Sequence, residues 1–389
     1  MAEIKHAYLK QAKVQAFREP VLSFVGGVVF DNPEDPTVSP LRHSRYRKPC
    51  DAAAQDADYS AYLPGRFIYG GPVYHHFGHF VAEMMHRIIP GRQLQPDWPL
   101  LFVAPLGSGE AATIPDYISA VLDFFGLHGE SLRIINKDTV VEELLVVEAG
   151  SDFGGGPKPG YTDLLAQFTP ARLAELTPDQ VTAERIYVSR SRIPHGGSFL
   201  GEKYLEQWLA TAGFRYIFPE ELPYANQVKA YASAQTVIFA EGSACHGAEV
   251  LGTAAIQNCL LVGRRQNHMH IFMDVLRARS KVFHGLVCGP DLGTAVGRTG
   301  SHEPLPNFGV SLLDRAVIVQ LLTSGNVLPD TPFDVEAYLA AAESELHAYL
   351  AYHKNRPSPL FEPCFSDTLL ERFDAAVKDY GAPISHPGG

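Results

Sequence analysis

Short apolar runs alternate with helical patterns along most of the chain, and this alternation restricts the fold more than any other feature. Apolar runs at residues 100–103, 186–188 and 236–240 are bounded by polar residues, glycine or proline. Strands that alternate with helices form βα units, and the strands of such units pair in parallel. The sequence therefore predicts an α/β protein with a mostly parallel sheet.

The predicted elements form two α/β halves and a helical tail. In the first half we expect strands at residues 66–69, 100–103, 132–135 and 144–147, and helices at 75–88 and 117–125. In the second half we expect strands at 186–188, 216–218, 236–240 and 259–262, and helices at 202–211, 227–234 and from about 244. Helices are predicted at 312–322, 335–353 and 368–377. Residues 31–65 read as irregular surface chain, and the glycine-rich segment 150–160 as a domain junction or an active-site lid.

Composition restricts the partners of the protein. The chain of 389 residues has 32 Lys and Arg against 43 Asp and Glu, a formal charge of −11, which argues against a nucleic-acid partner. No apolar run approaches the roughly 18 residues of a membrane-spanning helix, and no signal-peptide pattern follows the first lysines. The five cysteines are scattered without Cys-x-x-Cys spacing, which disfavours a zinc site or disulfide framework and favours a reducing cytoplasm.

The first predicted helix concentrates ionisable side chains. His75, His79 and Glu83 are four residues apart, so they share one helix face, with His86 and Arg87 close to it. One interpretation is a general base, in which Glu83 removes a proton and a histidine assists it. Another is a metal site, because imidazole and carboxylate groups at this spacing can ligate Zn²⁺. A third interpretation is a solvated helix face on which the histidines have hydrogen-bond partners and no catalytic role.

A glycine-serine turn follows the predicted strand at 236–240. Gly242 permits close backbone approach, and Ser243 can cap the next helix. The N–H groups at such a helix start can bind an anion, and a diphosphate suits them. Glu241 precedes the turn, and His246 either faces the same anion or packs in the interior. Because many βα loops have this form, the turn alone favours a structural role.

Cationic side chains follow the strands of the second half. Arg190 and Arg192 come after its first strand, and Arg264 and Arg265 come after its fourth; Lys203 lies between. Ligands of open α/β sheets bind at the carboxyl edge of the strands, and the guanidinium group suits phosphate. We expect a phosphate site there; surface charges with ordinary partners are the alternative.

A second basic stretch lies in the proline-rich segment of the first half. It consists of Arg42, Arg45, Arg47 and Lys48. Contact with an anionic membrane or acceptor is one interpretation, but a solvated loop is favoured.

Several motifs occur in an order that is known from one protein family. His79-Phe-Val-Ala-Glu83 with Arg87 is followed by Ile186-Tyr-Val-Ser-Arg190. The remaining motifs are Glu202, Gly213-Phe214, Pro219-Glu220, Gln227 and Ala240-Glu-Gly-Ser-Ala-Cys-His246. This order, over roughly residues 66–265, resembles glycosyltransferase family 61, in the form associated with bacterial capsule and surface-polysaccharide synthesis.

The resemblance implies a GT-B architecture, with two Rossmann-like domains facing a cleft. We expect an acceptor-side domain at 1–160, a nucleotide-sugar-binding domain at 161–310 and C-terminal helices at 311–389; packing of these helices back onto the N-terminal domain would be consistent with GT-B. The implied reaction is an inverting, metal-independent transfer from a nucleotide-sugar, expected to be a UDP-sugar, to a hydroxyl of a glycan or lipid-linked glycan. No cofactor is implied, and the expected location is the cytoplasm, including the inner face of the membrane.

The resemblance also suggests roles for residues. Glu83, or His79 if Glu83 points away, would remove the proton of the acceptor hydroxyl. The expected nucleotide and diphosphate ligands are Arg190, Arg192, Lys203, Glu241, Gly242, Ser243, His246 and Arg265. Other residues expected in the cleft are His75, Arg87 and Gln227. Two alternatives are a metal-dependent hydrolase that uses His75, His79 and Glu83, and a non-catalytic module that binds a nucleotide-sugar or glycan.

Overall fold

The computed structural model describes residues 4–18, 24–73, 76–108, 114–177, 183–193, 196–265, 268–287, 289–324, 327–356 and 358–380. Over these ranges the chain is a mixed α/β protein whose longer strands form two main sheets. The predicted alternation of strands and helices is confirmed. We call the first sheet with its helices the first unit, and the second sheet with its helices the second unit.

The first sheet is mixed. Its seven strands in the described residues run, from edge to edge, in the order Asp51–Ala52, Phe24–Val28, His6–Arg18, Thr139–Val147, Ala61–Pro72, Leu100–Val103, Leu132–Ile135. The last four pair in parallel, whereas His6–Arg18 is antiparallel to both of its neighbours. The chain after Ala61, predicted as irregular, already belongs to this sheet, so the strand expected at 66–69 is much longer.

The second sheet is wholly parallel. In the described part of the chain its order is Arg215–Ile217, Arg185–Val188, Thr236–Ala240, Ile256–Gly263, Ser280–Val287. All residues of Thr236–Ala240 are buried, as expected for a central strand covered on both faces. Parallel pairing brings the carboxyl ends of these strands to one edge, where the predicted cations follow them.

Most predicted helices lie within a few residues of their expected bounds. The longer α-helices are Asp116–Phe124, Tyr161–Leu176, Glu202–Thr211, Tyr224–Ser233, His270–Arg279, Arg315–Ser324, Val335–Asn355 and Ser366–Asp379. Short 3₁₀ helices are Ser39–Leu41, Gly129–Ser131, Pro219–Glu221 and Pro306–Phe308. Small sheets join Phe199–Leu200, Val310–Leu312 and Asp291–Gly293, and Val296–Arg298 with Phe361–Pro363. Within the described ranges, no helix combines the length and apolar character needed to cross a bilayer.

Two helical segments depart from the prediction of regular α-helix. The one expected at 75–88 is a composite of an α turn (Phe77–His79), a π turn (Phe80–Met84), a 3₁₀ turn (Met85–Arg87) and the α-helix Ile88–Leu94. The helix expected from about 244 is the 3₁₀ segment Ser243–Val250. π turns within helices occur frequently at functional sites. Both irregular segments carry residues that the sequence singled out.

The two units share one hydrophobic core. A continuous cluster of buried side chains includes Ile68 of the first sheet and Val237 of the second. Between them, the rings of Phe124 and Tyr224 pack edge to face with centroids 5.4 Å apart. Helix Tyr161–Leu176 touches both units, because Phe168 stacks on Phe125 and Thr169 donates to the carbonyl of Val250. Burial of this apolar surface stabilises the contact between the units.

The C-terminal helices pack on the second unit. A separate cluster joins Tyr187, Leu205 and Trp208 to Tyr338, Leu346 and Phe373 of the tail. The expectation that the tail packs back onto the N-terminal domain is therefore corrected, because the apolar faces of its helices are buried against the second unit.

Glu345 of the tail caps helix Glu202–Thr211. Its carboxylate accepts hydrogen bonds from the backbone N–H groups of Gly201, Glu202 and Lys203 at 2.8, 3.1 and 3.0 Å. These are donors that have no partner within the helix, and the positive helix end favours an anion. We expect Glu345→Ala to lower the free energy of unfolding by about 1–2 kcal/mol in urea titrations. Glu343→Ala, an exposed change on the same helix, is the control, and an equal loss in both variants would contradict this role.

Candidate active site

Glu83 is the centre of the polar cluster in the first unit. Its Oε1 lies 2.6 Å from Nδ1 of His79 and 3.2 Å from Nη2 of Arg45. Its Oε2 lies 2.9 Å from Nε2 of His43 and 2.7 Å from Nε of Arg45. The carboxylate is fully buried. Both oxygens are therefore engaged by donors of this chain.

This environment keeps Glu83 ionised. Burial raises the pKa of the Glu83 carboxyl, but hydrogen bonds from His43, His79 and Arg45 outweigh it, so the pKa lies well below its usual value. A carboxylate with so low a pKa is a weak proton acceptor. It is well placed instead to orient His79, whose Nε2 lies on the ring edge opposite Glu83. The His79 side chain is 29% exposed. The geometry thus favours His79 as the base and Glu83 as its positioning residue.

His43 and Arg45 lie in the proline-rich segment 31–65, for whose basic residues the sequence favours a solvated loop. That interpretation is wrong for Arg45, which donates twice to Glu83. Arg87 anchors this segment, because its buried guanidinium donates to the carbonyls of Arg42 and Val147. Arg87 is thus a structural residue rather than a cleft residue. No periodicity links residues 43–45 to residue 83, so sequence reasoning had no signal for this contact.

The first and second units meet at Gly78. A Cβ atom on Gly78 would lie 2.9 Å from Oγ of Ser243 and 3.3 Å from Cδ2 of His246. Only glycine therefore fits without displacement of these atoms. The ring of Phe153, in the hairpin formed by Ser151–Asp152 and Gly156–Pro157, lies 5.4 Å from the ring of His79 and 6.1 Å from that of His246. The 150–160 segment is therefore part of the site wall.

Arg190 lies against the glycine-serine turn. A Cβ atom on Gly242 would overlap the Arg190 guanidinium, so glycine is required here for the close approach. Nη2 of Arg190 donates to the carbonyls of Gly196 and Gly197 at 3.4 and 3.3 Å. The side chain is buried, and its Nε has no acceptor among the described residues.

Two further guanidinium groups lie at the same edge of the second sheet. Arg265 donates through Nε to Oε1 of Glu241 at 2.8 Å and through Nη1 to Asn307 at 2.9 Å. The Arg264 guanidinium instead donates to the carbonyl of Gly309. Burial lowers the pKa of Arg264 to about 9, and the positive charges of Arg190 and Arg265 add to this. Buried positive charges that repel one another favour the binding of an anion beside them.

Two of the predicted ligands, Arg192 and Lys203, lie in other surroundings. Arg192 stacks on Phe218, 3.7 Å from the ring centroid, and donates to Glu221 while half exposed. Lys203 lies at the start of helix Glu202–Thr211, whose terminal N–H groups already hold the Glu345 carboxylate. The predicted role of Lys203 as a diphosphate ligand is not favoured here, because the Glu345 carboxylate would repel a second anion.

Gln227 and His75 complete the predicted set. Gln227 is buried and donates to the carbonyls of Pro219 and Leu222, so it braces that turn rather than lining a cleft. His75 lies outside the described residues. Among the residues that the structure describes, no group of three His, Cys, Asp or Glu side chains is arranged to hold a metal ion. Both oxygens of Glu83 already accept from protein donors, including the Arg45 guanidinium.

The family comparison covers part of this site. Residues 77–251 match the family model described as Glycosyltransferase 61. The region over residues 77–251 is therefore that of a family 61 glycosyltransferase. The matched range includes His79, Glu83, Arg190, Gly242 and His246. A search of curated proteins gives no significant match. As a family 61 glycosyltransferase, the enzyme acts on a sugar donor and an acceptor.

Proposed function

We propose that this family 61 enzyme transfers a sugar from a nucleoside diphosphate donor to an acceptor hydroxyl with inversion at the anomeric carbon. The observation that carries the proposal is the contact at Gly78. This contact places the His79 imidazole, which can accept a proton, next to the turn at Ser243 and the guanidinium groups beside that turn. An inverting transfer needs these two kinds of group on opposite sides of the reacting carbon.

The guanidinium groups of Arg190, Arg264 and Arg265 would receive the diphosphate. Arg190 and Arg264 have a buried Nε without an acceptor among the described residues, and Arg190 borders the Gly242 turn. Donors that are already oriented stabilise the charge that develops on a leaving diphosphate at little reorganisation cost. These cations can supply the charge that a divalent ion would otherwise supply, so we propose a metal-independent reaction.

His79 would serve as the general base. As the acceptor oxygen bonds to the anomeric carbon and the bond to the diphosphate oxygen breaks, Nε2 of His79 takes the hydroxyl proton. The ionised Glu83 stabilises the imidazolium that forms, and holds Nδ1 as the hydrogen-bonded nitrogen. His43 and Arg45 in turn keep Glu83 ionised.

The remaining assignments rest on the family resemblance. We propose a GT-B arrangement with domain limits near residues 160 and 310, and a UDP-sugar as donor. The acceptor would be a glycan or lipid-linked glycan of a bacterial surface polysaccharide, used in the cytoplasm or at the inner face of the membrane.

A thermal-shift screen with UDP-, GDP-, CMP- and dTDP-sugars tests the proposal. A ligand at 100 times its Kd stabilises the folded state by about 2.7 kcal/mol, so the correct donor should raise Tm measurably. Transfer from that donor should then proceed in EDTA and give the inverted anomer by NMR. The proposal is contradicted if no nucleotide-sugar raises Tm or if the product retains the configuration of the donor. A stoichiometric requirement for Zn²⁺ would also contradict it and would favour a metal-dependent hydrolase.

A further inference from the structure

A second histidine of the site is held in the same way as His79. Nδ1 of His246 lies 2.6 Å from Oε1 of Glu249, just as Nδ1 of His79 lies 2.6 Å from Oε1 of Glu83. In both cases Nε2 lies on the opposite edge of the ring. The rings of His79 and His246 both pack on Phe153. The site therefore contains two imidazoles, each oriented by its own carboxylate.

Glu249 is shared between the two units. Its Oε2 lies 3.0 Å from Nε2 of His86, which is in the composite helix of the first unit. Nδ1 of His86 lies 3.1 Å from the hydroxyl of Tyr161. All of these groups are buried, and only 2% of Glu249 is exposed. This contact fixes Glu249, and through it His246, relative to the helix that carries His79.

The groups around Glu249 keep its carboxylate ionised. Burial raises the pKa of the Glu249 carboxyl, but hydrogen bonds from His246 and His86 outweigh it, so the pKa lies well below its usual value. An ionised carboxylate buried this deeply requires positive charge beside it. Arg279 supplies some, since it is buried and donates to the backbone carbonyl of Glu249. The Glu249 carboxylate can stabilise an imidazolium that forms on His246, as Glu83 can for His79.

Other titratable groups surround this pair. Those facing Glu249 are His86, Tyr161, Tyr224 and Arg279. Those facing His246 from the first unit are His76, which interacts with it electrostatically, and His79 beside Gly78.

We propose that His246 is a second proton-transfer residue, which protonates the departing diphosphate while His79 deprotonates the acceptor. The inference rests on the proposed function. The acceptor oxygen bonds to the anomeric carbon, the bond from that carbon to the diphosphate oxygen breaks, and the oxygen takes the proton of His246 Nε2. His79 gains one proton and His246 loses one, and solvent exchanges both after the products leave. Glu249 and His86 are positioning residues for His246.

The pH dependence of kcat in the full-length enzyme tests the inference. The plot of wild-type kcat against pH should be bell-shaped, with a low-pH limb from His79 and a high-pH limb from His246. Glu249→Gln retains an acceptor for Nδ1 but removes the charge, so the high-pH limb should move to lower pH by about one unit, while the low-pH limb stays. His246→Gln should abolish the high-pH limb and lower kcat about 100-fold, with KM for the donor within threefold.

His302→Gln is the matched control, because His302 lies 3.1 Å from Glu362 in an exposed imidazole–carboxylate pair. It should change neither limb. If the Glu249→Gln enzyme folds and its high-pH limb does not move, the inference is overturned. If that variant does not fold, an unmoved high-pH limb in the His246→Gln enzyme overturns it. If the wild type transfers no sugar, the proposed function fails instead. Active wild type with unaltered limbs in both variants defeats the second proton-transfer role alone.

Discussion

A His79→Gln enzyme should bind its donor normally and turn over about 10²–10⁴ times more slowly, the range expected for loss of a positioned general base. Glutamine can keep the hydrogen bond to Glu83, but its amide cannot accept a proton near neutral pH. The change should therefore lower kcat, not donor affinity. Steady-state kinetics with calorimetric measurement of donor Kd separates the two.

Two further variants test this assignment. Glu83→Gln should lower kcat by a similar factor, because the base would lose the charge that stabilises its imidazolium. His347→Gln, an exposed change on a tail helix, should leave kcat unchanged. An active His79→Gln enzyme combined with an inactive Glu83→Gln enzyme would show that Glu83 itself accepts the proton.

An Arg190→Gln enzyme should bind the donor and its nucleoside diphosphate about 10- to 100-fold more weakly. A hydrogen bond to a charged group contributes about 1.5–3 kcal/mol, and this guanidinium lies at the Gly242 turn in a buried place. Arg190→Lys should lose less, because the charge remains while the forked donor geometry is lost. Calorimetric titration with the nucleoside diphosphate measures both effects.

Arg192→Gln is the matched control for this series. Arg192 follows the same strand by two more residues, but its guanidinium stacks on Phe218 and pairs with Glu221. We expect less than a threefold change in Kd. Equal losses at positions 190 and 192 would place the diphosphate nearer to Arg192 than we propose.

The buried parallel strands were readable from the sequence because they are short, almost wholly apolar runs, whereas the mostly exposed parallel strand Ser280–Val287 was not predicted. Thr236–Ala240 and Leu100–Val103 have the predicted bounds, since strands covered on both faces leave no room for polar positions. Strand His6–Arg18 was not predicted. Its buried positions include the small residues Ala12 and Ala16, and its polar face is partly exposed. Such a strand gives a weak apolar signal.

The candidate site was only partly readable. The sequence singled out His79 and Glu83 because ionisable residues are concentrated on one predicted helix face, and Arg190 and the Gly242 turn because they follow apolar strands. It assigned a solvated loop to Arg45, which bonds Glu83. It also did not separate Arg192 from Arg190, because their side chains diverge only in the folded protein.

What the sequence determined by itself is the order of βα units, because the spacing of apolar residues decides which segments become strands and helices. It also determined that cations follow the strands of the second half at their carboxyl ends. The tertiary structure alone decided protonation roles. A carboxylate becomes a base or an orienting group according to its burial and to donors that lie far away in the chain, such as His43 and Arg45 for Glu83 and His86 for Glu249. Those contacts exist only once the two units have packed together and the segment around residue 45 has been anchored by Arg87.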